Sequence, residues 1–264
     1  VNGRKSNWKT EMQAGFQHLP SKSYNQLMNM NIQQLISFDQ ELLLKLNGSD
    51  SLFWDGFMWI ATSTSTWIPV AAALLYVIFK NNKIKEALLL VGMLALVITL
   101  ADQISSGLCK PYFARFRPTQ DPELMYFIDI VNGYRGGRYG FTSSHAANTF
   151  AVAIFLSLVI KSWSLSGILI IWAALNAFSR IYLGVHYPGD ILFGTLTGIG
   201  VSIFVYFLYK YIRKRFFNQP HYISNQYTSS GYLISDISFL HSIMLLTFFI
   251  IMIIGMIIAY SYNL

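Results

Sequence analysis

Apolar runs near 57–79, 86–108, 144–160, 165–183, 188–209 and 238–260 alternate with short polar segments. A hydrocarbon core of about 30 Å needs about 20 apolar residues per helix. Continuous runs of this kind, without strand-like alternation, span as helices. The pattern therefore predicts six transmembrane helices, with 144–160 and 165–183 near the lower length limit. Ahead of them, residues 31–47 place Ile32, Leu35, Ile36, Leu42, Leu43 and Leu46 at helical spacing among polar neighbours. This stretch is too short and too charged to span. It predicts an N-terminal interfacial amphipathic helix, and an ordinary packed helix fits the pattern equally well. Residues 1–30 read as a polar leader compatible with disorder. They lack the basic-then-apolar order of an export signal, and Met30 stands as a natural start just before the amphipathic pattern. The expected fold is an all-α integral membrane bundle, a single domain over 31–264 whose last transmembrane helix is 238–260.

Composition agrees with lipid as the solvent. Apolar residues make up 54% of the 264 and charged residues 12%, against about 25% charged in soluble domains. The net charge of +7 could suggest nucleic acid, but its basic residues fall in short clusters between apolar runs, as in membrane loops. Nucleic acid is thereby set aside, and the bilayer is the expected partner. Trp54, Trp59, Trp67, Tyr206, Tyr209 and Tyr211 fit interfacial anchoring. Lys80, Lys83, Lys85, Lys161, Lys210, Arg213, Lys214 and Arg215 mark one face as cytoplasmic. The opposite face then carries the loop 110–142 and the turn 184–187. That loop is also basic, which is consistent with the orientation if its cations hold an anion. Cys109, the single cysteine, excludes an internal disulfide and reads as a small buried residue.

Three stretches reach that opposite face: KPYFARFRP at 110–118, TSSH at 142–145 and SRIYLGVHYPGD at 179–190. Ionisable residues at helix ends deep in a bundle are functional candidates. The guanidinium forks of Arg117 and Arg180 suit two phosphate oxygens at once, and Lys110 adds a point charge. Ser143 and Ser144 open a helix whose N–H groups point at any anion there. One of His145 and His186 can attack phosphorus while the other protonates the departing oxygen. Asp190, four residues after His186 and two after Pro188, can hold that imidazole in one tautomer. A metal held by the two histidines and Asp190 is the weaker reading, because the surrounding cations would repel it. No metal or other cofactor is expected.

Lys110 followed after six residues by Arg117-Pro118, the Ser143-x-His145 element, and Ser179-Arg180 followed after five residues by His186 and then Asp190 together resemble the signature of the type 2 phosphatidic acid phosphatase (PAP2) superfamily. The motifs cover about 110–190, and the helix pattern extends the likeness over about 31–213. The resemblance implies a PAP2/haloperoxidase-like bundle and a lipid phosphatase of the bacterial inner membrane, with its site facing the periplasm. It implies that His186 becomes phosphohistidine, that Asp190 orients it, and that His145 is the general acid. Lys110, Arg117, Ser143, Ser144 and Arg180 would bind phosphate. The sequence departs from the usual Pro-Ser-Gly-His second motif with Thr142 and Ser144 at the Pro and Gly positions.

The Gly- and aromatic-rich loop around Arg135 and Arg138 resembles that of bacterial lipid A phosphatases, which implies the 4′- or 1-phosphate of lipid A as substrate. Undecaprenyl diphosphate is the main alternative, followed by phosphatidylglycerol phosphate and phosphatidic acid. Phosphotransfer to another lipid and a non-catalytic lipid-binding or transport protein are further alternatives. Arg115, Arg135 and Arg138 are candidate substrate contacts, though a solvated loop would carry them as well. Asp102, two helical turns before Lys110, is expected to pair with a cation or hydroxyl inside the bundle. His18, His221 and His241 have no partners in the sequence.

Overall fold

The computed structural model describes residues 21–217 and 225–261. Among these, the main helices are α1 (Ser21–Leu46), α2 (Leu52–Ala61), α3 (Ile68–Asn81), α4 (Ile84–Phe113), α5 (Ser144–Ile160), α6 (Trp163–Tyr182), α7 (Pro188–Phe216) and α8 (Ile234–Ser261). No strand occurs among the described residues, only isolated bridges that pair Phe116 with Tyr139 and Tyr227 with Leu233.

The described residues up to Leu42 and those from Leu43 onward form separate compact units. In the first, α1 begins at Ser21, earlier than the amphipathic pattern suggests, so residues 21–30 of the expected leader are helical. Residues 1–20 lie outside the described residues. Ile32, Leu35 and Phe38 are exposed on α1.

In the second unit, α4, α6, α7 and α8 are each long and apolar enough to cross a membrane. The span expected over 57–79 is instead a bent pair. Residues Leu52–Ala61 and Thr64–Asn81 meet at 66°. The cause is the polar run Thr62–Thr66, whose side chains compete with helical hydrogen bonding. Thr66 Oγ1 donates to Ile60 O at 2.7 Å and Trp67 Nε1 donates to Ala61 O at 2.8 Å, which satisfies carbonyls that the break leaves open. If the pair counts once, the long apolar elements number five. Helix α5 has 17 residues, about 25 Å at 1.5 Å per residue.

Helices α5 and α7 pack most closely. Ser143 caps α5 by accepting from Ala146 N at 3.4 Å, and Lys161 ends it in the left-handed conformation, φ 54°. A Cβ at Gly194 or Gly198 of α7 would collide with the backbone at Ser143 or Ala147. Ser202, one turn on, donates to Ala151 O at 2.7 Å. Small residues one turn apart thus bring the backbones together. This contact holds the start of α5 against the start of α7, where the expected chemistry lies.

The active-site loop, expected from residue 110, begins at Ala114, because Lys110–Phe113 completes α4. The loop is tied internally by Arg117 N to Arg138 O at 3.1 Å and Gly140 N to Arg115 O at 2.9 Å. It is fixed to the end of α6 through Asn47, whose amide donates to Tyr182 O at 2.8 Å and Asp129 O at 3.1 Å.

Candidate active site

Within α4, residues Gln103–Cys109 form a π-helical turn, a widening that recurs at functional sites. Beyond it, Lys110 Nζ donates to Ser106 Oγ at 3.0 Å and to Ser144 Oγ at 2.8 Å. Ser106 in turn donates to Asp102 Oδ1 at 3.2 Å. Asp102 therefore meets a hydroxyl, as the sequence suggested, and that hydroxyl links it to Lys110. The lysine bridges the first motif to the second. The second is joined to the third by Ser143 N, which donates to Asp190 O at 3.1 Å.

After α6 the chain reverses tightly. Val185 N and His186 N both donate to Arg180 O, at 3.1 and 3.2 Å. Gly184 makes the reversal at φ 67°, where an added Cβ would also collide with Ile128. Pro188 then opens α7, and Asp190 Oδ2 accepts from Tyr187 N at 3.0 Å to cap it. Asp190 Oδ1 accepts from Arg115 NH1 at 3.0 Å. His186 Nδ1 lies 3.4 Å from Asp190 Oδ2, but without the alignment of a hydrogen bond. Asp190 is thus committed first to Arg115 and to its own helix start, and it reaches the imidazole as a close charge.

Arg117 is anchored by Nε to Tyr139 O at 3.1 Å and by NH1 to Val185 O at 3.2 Å, and NH1 also lies 3.2 Å from His186 Nε2. A guanidinium only donates. Nε2 must therefore be the accepting, unprotonated nitrogen, and the ring proton sits on Nδ1, toward Asp190. Burial, followed by the charges of Arg117, Arg180 and Lys110, holds the His186 imidazole well below the ordinary histidine range. The ring is neutral, and its Nε2 lone pair accepts from Arg117.

Arg180 donates from NH1 to Thr62 Oγ1 at 3.0 Å and from NH2 to Tyr134 OH at 3.2 Å. Tyr134 is edge-on to Trp59 of α2. Thr62 stands at the break between α2 and α3, so the interrupted span supplies part of this arginine's seat. Arg117 and Arg180 are 9% and 3% exposed and lie close enough to repel each other. Among the described residues, neither forms an ion pair. With Asp190 the one carboxylate among the described residues acting on Arg117, and itself paired with Arg115, two buried guanidiniums bonded to neutral groups leave an excess of positive charge, which is costly unless an anion joins them. His145, in the first turn of α5, falls in the same field: Arg180, His186, Arg117 and Lys110 all act on it electrostatically.

The structure therefore gathers Lys110, Arg117, Ser143, Ser144, His145, Arg180, His186 and Asp190 at one end of the bundle. Arg115 joins them through Asp190 and stacks 3.9 Å over the Tyr187 ring. The Tyr187 hydroxyl donates to Asp121 Oδ2 at 2.8 Å; burial and then Asp121 hold the phenol protonated. Arg135 and Arg138 serve the loop: Arg135 NH1 donates to Thr119 O at 3.2 Å, and Arg138 lies over the Phe116 and Tyr139 rings. Sequence reasoning missed Thr62, Tyr134 and Ser106. Only Ser106 left a signal, since Asp102, Ser106 and Lys110 are spaced four apart.

Residues 86–214 match the PAP2 superfamily. The chain is 42% identical over 182 residues to a lipid A 4′-phosphatase of Bacteroides thetaiotaomicron, covering 68% of this chain and 80% of that protein. It is 37% identical over 188 residues to a lipid A 4′-phosphatase of Porphyromonas gingivalis, covering 70% and 78%. The crystal structure of Aquifex aeolicus LpxE superposes with a TM-score of 0.50 at 27% identity, covering 63% of this chain and 93% of that one. Matched at this identity over most of two relatives, and carrying the superfamily's motifs at one end of a helical bundle, the chain belongs to the PAP2 superfamily.

Proposed function

We propose that this PAP2-type phosphoric ester hydrolase removes the 4′-phosphate of lipid A at the periplasmic face of a bacterial inner membrane, through a phosphohistidine on His186. The observation that carries the reading is the pair of buried arginines, 117 and 180, with no ion-pair partner among the described residues, beside a neutral imidazole whose Nε2 lone pair accepts from Arg117. A phosphate monoester would supply the missing negative charge and bring phosphorus within reach of Nε2. The names of the two bacterial relatives favour lipid A and its 4′ position over the other lipid phosphates.

The chemistry follows from the atoms. His186 Nε2 attacks phosphorus as the bond to the sugar oxygen breaks, and His145 gives that oxygen a proton. Arg117 moves from the lone pair to the phosphoryl oxygens, which Arg180, Lys110 and the N–H groups at the start of α5 also hold. Asp190 stabilises the Nδ1 proton as the ring becomes cationic. Water, deprotonated by His145, then attacks the phosphohistidine, releases phosphate and restores the ring. Lys110, Arg117, Ser143, Ser144 and Arg180 thus bind phosphate, and Arg135 and Arg138 remain candidate contacts for the rest of the head group.

For the bilayer we take six crossings: α4, α6, α7 and α8, the bent α2–α3 pair as one, and α5 as a short sixth. The exposed apolar residues of α1 support an interfacial helix. The end bearing Lys80, Lys161, Lys210 and Lys214 faces the cytoplasm.

The test is a substrate panel with purified protein and a chelator present: lipid A, undecaprenyl diphosphate, phosphatidylglycerol phosphate and phosphatidic acid. Lipid A should give the highest kcat/KM, with mass spectrometry placing the loss at 4′. A preference for undecaprenyl diphosphate would overturn the substrate assignment. Phosphate found on a second lipid would make the reaction a transfer, and no release from any member would favour a binding or transport protein.

A further inference from the structure

At the other end of α5 and α7 the chain forms an open cationic cavity of about 230 Å³. Its wall carries Lys161, Lys210, Arg213, Lys214, Ser229 and Ser230 and, among the described residues, no carboxylate. It is separate from the catalytic end. Along α7, Pro188 begins the helix and Lys210 lies 22 residues on, roughly 33 Å at 1.5 Å per residue. A helix dipole accounts for lysines at the ends of α5 and α7, but not for their meeting at one concavity. Ser229 and Ser230 form one wall of it: Thr228 and Ser230 share a hydrogen bond of 3.0 Å, and Ser230 Oγ donates to Ile160 O at the end of α5. Arg213 is partly neutralised by Glu86, 3.4 Å away. Lys161, Lys210 and Lys214 form no ion pair among the described residues, so three cations face a concavity with hydroxyl donors and one apolar wall, Leu158 and Val159.

We propose that this cavity binds the phosphate of an anionic phospholipid head group from the leaflet opposite the catalytic site. The chemistry is that of a phosphoryl anion: point charges from lysines, hydroxyl donors, and an apolar side for the adjoining glycerol. A basic pocket between transmembrane helices at their cytoplasmic ends suits a lipid head group. Free phosphate is the other source of the same anion. The leaflet and the turnover control rest on the reading proposed above; failure of that reading would remove turnover from all three chains alike, whereas failure of this proposal would show only in the lipid retained.

The experiment compares the full chain with the triple variant Lys161→Gln, Lys210→Gln, Lys214→Gln, and with the triple Lys→Arg variant at the same positions. Each is placed in nanodiscs of phosphatidylcholine containing a minor share of phosphatidylglycerol, and retained lipid is measured by native mass spectrometry. Phosphatidylglycerol should be retained over phosphatidylcholine by the parent and the Arg variant, and at least about tenfold less by the Gln variant, as expected for removing three near-surface lysine contacts. Turnover of a soluble short-chain phosphate should be equal in all three, which shows that the variants are folded. Equal phosphatidylglycerol retention by parent and Gln variant overturns the proposal. So does loss of lipid from the Arg variant, because charge would then not be what the cavity reads. In a parallel arm with radiolabelled inorganic phosphate, the catalytic end contributes equally to parent and Gln variant. A binding site missing from the Gln variant, with lipid retention unchanged, assigns the cavity to soluble phosphate and contradicts the lipid assignment.

Discussion

The two ends of the α5–α7 pair are both basic, yet they use their cations in opposite ways. At the catalytic end, Arg117 and Arg180 are buried and held at fixed distances by backbone carbonyls, an imidazole, a threonine and a tyrosine. At the other end, Lys161, Lys210 and Lys214 are exposed. Counting positive charge along the sequence cannot separate the two, because Arg and Lys occur in loops at both faces. Burial and partnership separate them. A cation that orients a helix in a membrane needs only water, whereas a cation that stabilises a transition state must be positioned before the charge develops. The catalytic end should therefore respond steeply to small changes, and the far end weakly.

The largest expected effect is at His186. His186→Ala should lower phosphate release by about 10⁴-fold or more, the usual cost of removing a nucleophile, measured with a soluble phosphate monoester. Next is the fork geometry. Arg180→Lys keeps the charge but loses one of the two fixed bonds to Thr62 and Tyr134, and should cost about 10²-fold in kcat/KM. If Arg180→Lys costs no more than Lys210→Arg, the contrast between the two ends fails.

The pH profile sharpens the same contrast. Because burial, and then Arg117, depresses the His186 pKa, the imidazole stays neutral as pH falls past the ordinary histidine value of about 6.5. The nucleophile is lost only lower. The acid limb of kcat/KM should thus lie below that value, and Arg117→Gln, which removes one depressing charge, should move it upward. An unmoved limb would mean that Arg117 does not act on the ring.

A smaller effect is expected at the broken span. Thr62→Val leaves Arg180 NH1 without its acceptor, which costs a buried charged donor about 1.5–3 kcal/mol, or roughly ten- to a hundredfold in kcat/KM if all of it falls on the transition state. The weakest effect belongs to the far end: Lys210→Gln with Lys214→Gln should leave turnover of a soluble substrate within about twofold, in line with surface substitutions.

The sequence reads well where one residue type does one job in one place. Lys110, Arg117, His145, Arg180, His186 and Asp190 could be singled out because such groups are rare among apolar helices, and the structure brings them together. The long runs became α4, α6, α7 and α8 because lipid imposes a simple length rule. The rest was hidden for physical reasons. The α2–α3 break depends on Thr66 and Trp67 capturing carbonyls of Ile60 and Ala61, and a hydropathy pattern averages over such polar residues. The seats of Arg180 come from Thr62 and Tyr134, 118 and 46 residues away in the chain, contacts that no local pattern encodes. The preference of Asp190 for Arg115 and its own helix start follows from the capping geometry, which the His-x-x-x-Asp spacing leaves open.

The central claim is that His186 carries the phosphoryl group at the end of the bundle where Arg117 and Arg180 lie buried. Rapid mixing with substrate bearing labelled phosphate, an alkaline quench and peptide mapping test it directly. The account predicts transient label on His186, stable to base and labile to acid, absent from His186→Ala and accumulating in a variant whose second step is slowed. Label on another residue, or turnover of His186→Ala at the parent rate, would contradict it.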